Sequence, residues 1–127
     1  MTNQTLERNA SMRQHDSIPN NSTPELTERE ADLFAEWFRA LSDPTRIRIL
    51  NLLAQNSEPL CVCEIVDHFP IGQSSISHHL KLLRDVRFVI AERRGTFIYY
   101  RINHACLKAF PETVNKIFGV ITVDQLS

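Results

Sequence analysis

Apolar residues recur at helical spacing in four successive stretches of this chain, give way to two runs rich in β-branched and aromatic residues, and return to helical spacing near the end. In the first stretch Phe34, Trp37, Phe38 and Leu41 stand at i, i+3, i+4 and i+7, behind a Thr27-Glu28-Arg29-Glu30 capping box. This aromatic stripe is broad enough either to fill a small core or to meet a second subunit. Ser42-Asp43-Pro44 ends that helix and opens the next, with Asp43 as N-cap and Pro44 at the first helical position. The second helix is expected to bury Ile47, Leu50, Leu53 and Ala54, and Asn56-Ser57-Glu58-Pro59 closes it. A short segment from Val62 to Phe69, apolar at Val62, Ile65, Val66 and Phe69, leads through a Pro70-Ile71-Gly72 turn into an amphipathic helix. On that helix Ile76, Leu80 and Leu83 fall on one face, and Ser74, Ser77, His78 and Lys81 fall opposite. Two such helices joined by a turn are a helix-turn-helix.

The β-prone runs, Phe88 to Glu92 and Phe97 to Ile102, flank Arg93-Arg94-Gly95-Thr96, which predicts a hairpin with a cationic tip. A helix-turn-helix followed by a hairpin gives a mainly α fold with a β-hairpin wing, a winged helix-turn-helix in the order α-α-α-α-β-β-α. The last helical pattern comprises Leu107, Phe110, Val114, Ile117 and Phe118 and is interrupted by Pro111. Either the helix kinks there or it begins at Pro111, with residues 103–109 as a separate turn. Residues 1–24, rich in Asn, Gln, Ser, Thr and Pro, read as a flexible N-terminal tail, residues 25–119 as one DNA-binding and dimerisation domain, and residues 120–127 as a C-terminal tail.

Charge changes the picture through its distribution. The net charge is −1, which by itself does not suggest nucleic acid. Residues 1–36 carry three basic and seven acidic side chains, whereas residues 73–104 carry six basic and two acidic. A basic strip over the reading helix and hairpin can engage phosphates while the whole molecule stays near neutral. The polar helix face also carries groups of the right size for base edges and phosphates in a major groove. The DNA-contact candidates are therefore Gln73, Ser74, Ser75, Ser77, His78, Lys81, Arg93 and Arg94. No apolar run approaches the roughly 18 residues of a membrane span, and no signal peptide is recognisable. The expected location is the cytoplasm, without a membrane partner. Three cysteines cannot all pair within one chain, and a reducing compartment disfavours structural disulfides.

The motifs Leu41-Ser42-Asp43-Pro44-Thr45-Arg46, Cys61-Val62-Cys63-Glu64-Ile65, Gln73-Ser74-Ser75-Ile76-Ser77-His78-His79-Leu80-Lys81, Arg93-Arg94-Gly95 and Tyr99-Tyr100 appear in this order. Together they resemble the ArsR/SmtB family of winged-helix metal-sensing repressors over about residues 30–110. The resemblance implies a homodimer that binds double-stranded operator DNA and releases it when metal or metalloid binds. It also implies that the helix from Gln73 reads the major groove, that the hairpin arginines touch flanking DNA, and that the first and last helices form the dimer interface. The surplus of apolar stripes at the two ends agrees with a two-fold interface.

The Cys61/Cys63 box resembles the arsenic-responsive branch of that family, so the implied inducer is As(III) or Sb(III), with no cofactor needed for DNA binding. Soft thiolates suit such thiophilic ions. On one ideal helix, residues two apart point about 200° apart, so both sulfurs could meet one small ion only after local unwinding. Ligand binding is then expected to distort the first helix of the motif and displace the reading helix packed on it. The best-known arsenic pattern has a third cysteine where this chain has Val66. A third thiolate must come from Cys106, from the partner subunit or from a small thiol; a methylated arsenical needs only two. Cys106 is otherwise a small buried hydrophobe.

The alternatives are a winged-helix repressor sensing another soft metal (Cd, Pb or Zn) or thiol oxidation, and more remotely a thiol oxidoreductase. Cadmium and lead sensors recruit cysteines from an N-terminal tail that here has none, and the last helix offers zinc only His104 and Glu112. His68, His78 and His79 read mainly as packing or hydrogen-bonding groups. An enzyme is not expected: the cysteines precede a helix rather than follow a strand of an α/β unit, and three glycines supply no phosphate loop.

Overall fold

The computed structural model describes residues 25–119, so the tails expected at 1–24 and 120–127 lie outside the described residues. The elements are α1 (Glu28–Ala40), α2 (Pro44–Gln55), β1 (Leu60–Cys61), α3 (Val62–Val66), α4 (Gln73–Asp85), β2 (Val89–Arg94), β3 (Phe97–Ile102), α5 (His104–Lys108) and α6 (Phe110–Phe118). The three strands form one antiparallel sheet in the order β1-β3-β2. The whole is a winged helix-turn-helix: mostly helical, with α3 and α4 as the motif and β2-β3 as the wing.

Local chemistry starts the helices where the sequence indicated. Thr27 Oγ1 accepts from the Glu30 amide and Glu30 Oε1 accepts from the Thr27 amide, both at 3.0 Å, closing the capping box of α1. Asp43 Oδ2 accepts from the Arg46 amide at 3.1 Å, and Pro44 occupies the first turn of α2. Gly119, at φ +67°, closes α6 in the left-handed conformation that only glycine adopts without strain. The wing turns on two residues, Gly95 and Thr96, with Arg94 opposite Phe97. Gly95 has φ +65°, as the first central position of a type II′ hairpin turn demands. Arg93 and Arg94 thus end β2 rather than sitting in the turn.

Ile76, Leu80 and Leu83 of α4 are completely buried with Ile49, Ile65 and Phe88, so α4 is seated on the core by the face its periodicity predicted. Four expectations need correction. Helix α2 buries Ile49 and Leu53 and turns Ile47 (50% exposed) and Ala54 outward; its sequence is apolar nearly all round, and packing against α4 and the sheet set the rotation. Helix α3 is one turn and a half and stops at Val66, not Phe69, continuing as turns through the His68-to-Ile65 and Phe69-to-Val66 amide bonds. A strand, β1, precedes it that was not anticipated. Of the two alternatives at the C-terminal end the second holds in outline, a new helix starting at Phe110 with Pro111 in its first turn, but residues 104–108 form a short helix rather than a turn.

The aromatic stripe of α1 divides. Phe34 is buried, and Trp37 packs inward against Phe34, Phe88 and Phe110, with ring centroids 5.7, 6.0 and 6.1 Å away. Leu33 and Phe38 are exposed, and Phe38 lies beside Ile117 and the 71%-exposed Phe118 of α6. A groove of about 510 Å³ lined by Leu26, Ala31, Phe34, Ala35, Phe38, Ile117 and Phe118 runs between α1 and α6. The Lys116 ammonium donates to Glu30 Oε2 at 2.6 Å and ties the two helices together. That bond, with the Thr27 amide, holds the Glu30 carboxyl below its ordinary value. The tie is therefore present above the normal carboxylate range and lost as pH falls through the lowered value.

Candidate functional site

On α4, Gln73, Ser74, Ser75, His78 and Lys81 are exposed and Ser77 is half-buried, so all six candidates lie off the core face. Lys81 pairs with Asp85 one turn on, at 3.1 Å, which leaves its ammonium at the surface. On the wing, both arginines are exposed. Arg93 Nη1 reaches the Gly95 carbonyl at 3.5 Å; the Arg94 guanidinium lies 3.6 Å from Glu92 Oε1 and 4.9 Å from the centroid of the Tyr99 ring. Helix α4 thus presents short polar groups and a cation to solvent opposite its buried face, and the wing carries its two arginines on opposite faces of an exposed hairpin tip.

Sequence patterning missed the group that fixes α4 against the first two helices. The Arg46 side chain donates to the Ala40 carbonyl at 2.7 Å, to the Arg39 carbonyl at 3.2 Å and to His79 Nδ1 at 3.2 Å. A guanidinium only donates, so in this contact His79 Nδ1 is the acceptor. The Ala40 carbonyl at the end of α1 is satisfied this way, the Arg39 carbonyl, already bonded to Ser42, gains a further donor, and the same fork holds a ring of α4. His79 is a packing residue, as expected of it; the signal for Arg46 was its place three residues after an N-cap aspartate. Arg46→Ala is expected to destabilise the protein by about 2 kcal/mol, the loss of a charged multidentate donor to half-buried acceptors. Thermal unfolding measures it; an unchanged midpoint would remove Arg46 from this role.

The cysteine pair is where structure and expectation part. The Cys61 and Cys63 sulfurs are bonded to each other as a disulfide, with the Cα atoms 5.4 Å apart. They meet because they do not share a helix. Cys61 ends β1 in extended conformation (φ −81°, ψ 165°) and is the N-cap of α3, while Cys63 lies in its first turn. The 200° separation applies only to two residues of one helix, so the unwinding inferred from it is not required. Glu64 Oε1 accepts from the Cys61 amide at 2.9 Å and holds the junction. Cys61 is buried (5% exposed) and Cys63 exposed, so the pair opens to solvent on one side. Reduction by two electrons and two protons yields two thiols side by side at this junction.

Cys106, on α5, is free and half-buried, and burial pushes its thiol above the ordinary value while the Arg87 charge opposes that. Among the described residues no three His, Cys, Asp or Glu side chains gather into a group able to hold a metal ion, so within one chain Cys106 is not assembled with the pair. His104, Glu112, His68 and His78 likewise form no such group. No described helix is long and apolar enough to cross a membrane.

Residues 43–91, spanning α2 to the first half of the wing, match the family model "Bacterial regulatory protein, arsR family". The chain is also 36% identical over 88 residues to the arsenical resistance operon repressor of Staphylococcus xylosus, covering 68% of this chain and 79% of that one. The chain belongs to the ArsR family. A second ArsR-family relative, a cadmium resistance transcriptional regulatory protein CadC homolog of Staphylococcus aureus, is 30% identical over 98 residues, 77% of this chain and 80% of that one. Among solved structures, the homodimeric winged helix-turn-helix DNA-binding domain of a possible ArsR-family regulator from Mycobacterium bovis superposes with a TM-score of 0.56 at 33% identity, covering 70% of this chain and 86% of that one. As an ArsR-family chain with this fold, the protein is a DNA-binding transcriptional repressor and not an enzyme, and the oxidoreductase alternative falls.

Proposed function

We propose that this chain is a homodimeric repressor that occupies a short inverted repeat and is released when trivalent arsenic, or antimony, bridges the Cys61 and Cys63 thiolates. The carrying observation is the meeting of the two sulfurs at the β1–α3 junction, at the start of the short helix that packs against α4. Soft, paired thiolates favour a thiophilic ion over hard cations. A third thiolate, where the ion takes three, comes from the partner subunit's side of the dimer or from a small thiol, since Cys106 of the same chain does not join the pair. The resemblance to arsenical repressors supports arsenic, and that to the cadmium regulator makes Cd²⁺ the comparison to run. Thiol oxidation is the second reading, favoured by the Cys61–Cys63 bond itself. A DNA-shift titration with arsenite, methylarsenite, Cd²⁺, Zn²⁺ and peroxide separates these readings; release by peroxide alone would remove the metalloid.

On DNA, the two α4 helices of the dimer enter successive major grooves, so the half-sites stand one helical turn, about 34 Å, apart. Affinity is expected to fall steeply with salt. Replacing Arg93 and Arg94 together by Gln flattens that slope while sequence preference stays nearly unchanged, because wing cations answer phosphates. Replacing Gln73, Ser77 or His78 relaxes preference by about 1–3 kcal/mol per lost base contact. Anisotropy titrations over a salt series read both effects, and an unchanged slope in the double arginine variant would take the wing off the DNA.

A further inference from the structure

The strand that ends at Cys61 belongs to the same sheet as the wing. Cys61 stands directly opposite Tyr99 on β3, and Tyr99 stands directly opposite Glu92 on β2. Residues paired across antiparallel strands share a face of the sheet, so these three are neighbours in one row. The next residue of β2 on that face is Arg94, whose guanidinium lies over the Tyr99 ring at 4.9 Å and 3.6 Å from Glu92 Oε1. A wing arginine therefore rests on the ring adjoining the sensor cysteine, and only the width of one strand separates them.

We propose that Tyr99 is a positioning residue that couples the state of the Cys61–Cys63 pair to Arg94 on the wing. The observations converge on it. Cys61 is at once the last residue of β1, bonded to β3 through the sheet, and the N-cap of α3, so a change in its sulfur acts on two elements. Through α3 it reaches α4, which packs against it; through Tyr99 it reaches the cation that closes on DNA beside the reading helix. The Tyr99 ring is half-buried, and its neighbour Tyr100 faces the core and anchors the strand that carries both. A ligand that draws Cys61 and Cys63 onto one ion, or a bond between them, repositions the edge of the row against which Tyr99 stands, and Arg94 follows the ring face that attracts it. Inducer binding thus weakens both DNA-contacting elements, and the wing's share passes through this ring.

This inference rests on the proposed sensing role of the pair, and the test separates the two. Amide and Arg94 Nε resonances of the full chain are followed by heteronuclear NMR through two changes of the pair: addition of arsenite to the reduced protein, and oxidation by diamide. In the second, the two thiols form the Cys61–Cys63 bond and their two electrons and two protons convert diamide to its hydrazine. In wild type and in Tyr99→Phe, which keeps the aromatic face, resonances of Arg93 to Phe97 shift in both cases. In Tyr99→Leu they stay still while resonances of α3 still move, and arsenite binding, read from thiolate-to-arsenic absorption, is unchanged. Tyr99→Leu loses the exposed cation–π contact with Arg94, and the fall of its operator affinity on induction is smaller than in wild type. Wing shifts that persist in Tyr99→Leu, or that are absent in wild type while α3 responds, overturn the coupling. If arsenite moves nothing but diamide moves the wing through Tyr99, the coupling stands and the arsenic reading fails.

Discussion

Arsenite is expected to release the wild-type protein from operator DNA, whereas Cys61→Ser and Cys63→Ser proteins stay bound in its presence. Serine keeps the size of the side chain and the backbone of the strand–helix junction, so the DNA-binding fold survives; it removes the soft donor, so the metalloid loses one of two adjacent thiolates. The effect is large because release demands it. Moving the repressor from 1:99 to 99:1 in favour of the released form takes a ligand preference of about 5.5 kcal/mol, and either serine is expected to abolish most of that. Reciprocity supplies an independent check: operator DNA must weaken arsenite binding by the factor by which arsenite weakens DNA binding. Cys106→Ser separates the ligand sets. A lost response would make a partner's Cys106 the third donor, and a full response leaves two thiolates or an external thiol. Both serine variants responding as wild type would put the sensing site elsewhere.

Phe118→Asp is expected to convert the dimer to monomers and to abolish operator binding with it. Phe118 is 71% exposed on α6 and borders the apolar groove shared with Phe38 of α1, a surface with no covering element among the described residues. Burying a phenylalanine side chain is worth about 1.5–3 kcal/mol, and a two-fold axis counts it twice. Losing both copies, and facing two carboxylates toward an apolar interface, raises the dimer Kd by roughly a thousandfold or more. A monomer reaches one half-site only, so the operator is lost as well. Sedimentation velocity at micromolar protein reads the first effect and anisotropy the second; a monomeric wild type would end the dimer reading. Trp37 does not serve this test. Its ring lies among Phe34, Phe88 and Phe110 of its own chain, and replacing it by alanine empties that cluster and lowers the melting temperature.

What the sequence could determine follows from the range of the forces involved. Caps are contacts within a single turn, so the Thr27–Glu30 box and the Asp43 N-cap ahead of Pro44 were legible from the string alone. The face of α4 was legible too, because its apolar residues are few and strictly spaced, leaving one rotation that buries Ile76, Leu80 and Leu83. Helix α2 offered no such contrast. With apolar residues on nearly every side, only the surfaces of α4 and the sheet could choose Ile49 over Ile47. The two halves of the α1 stripe were distinguished by Phe88, which packs on Trp37 from far along the chain, whereas Phe110 touches both Trp37 and Phe38. The thiol pair shows the same limit most sharply. Its residue types and spacing announced soft-ion chemistry, but whether the sulfurs meet depends on Cys61 being a strand residue. That strand is two residues long, too short for any local pattern, and exists only because β3 supplies the hydrogen-bonding edge opposite it.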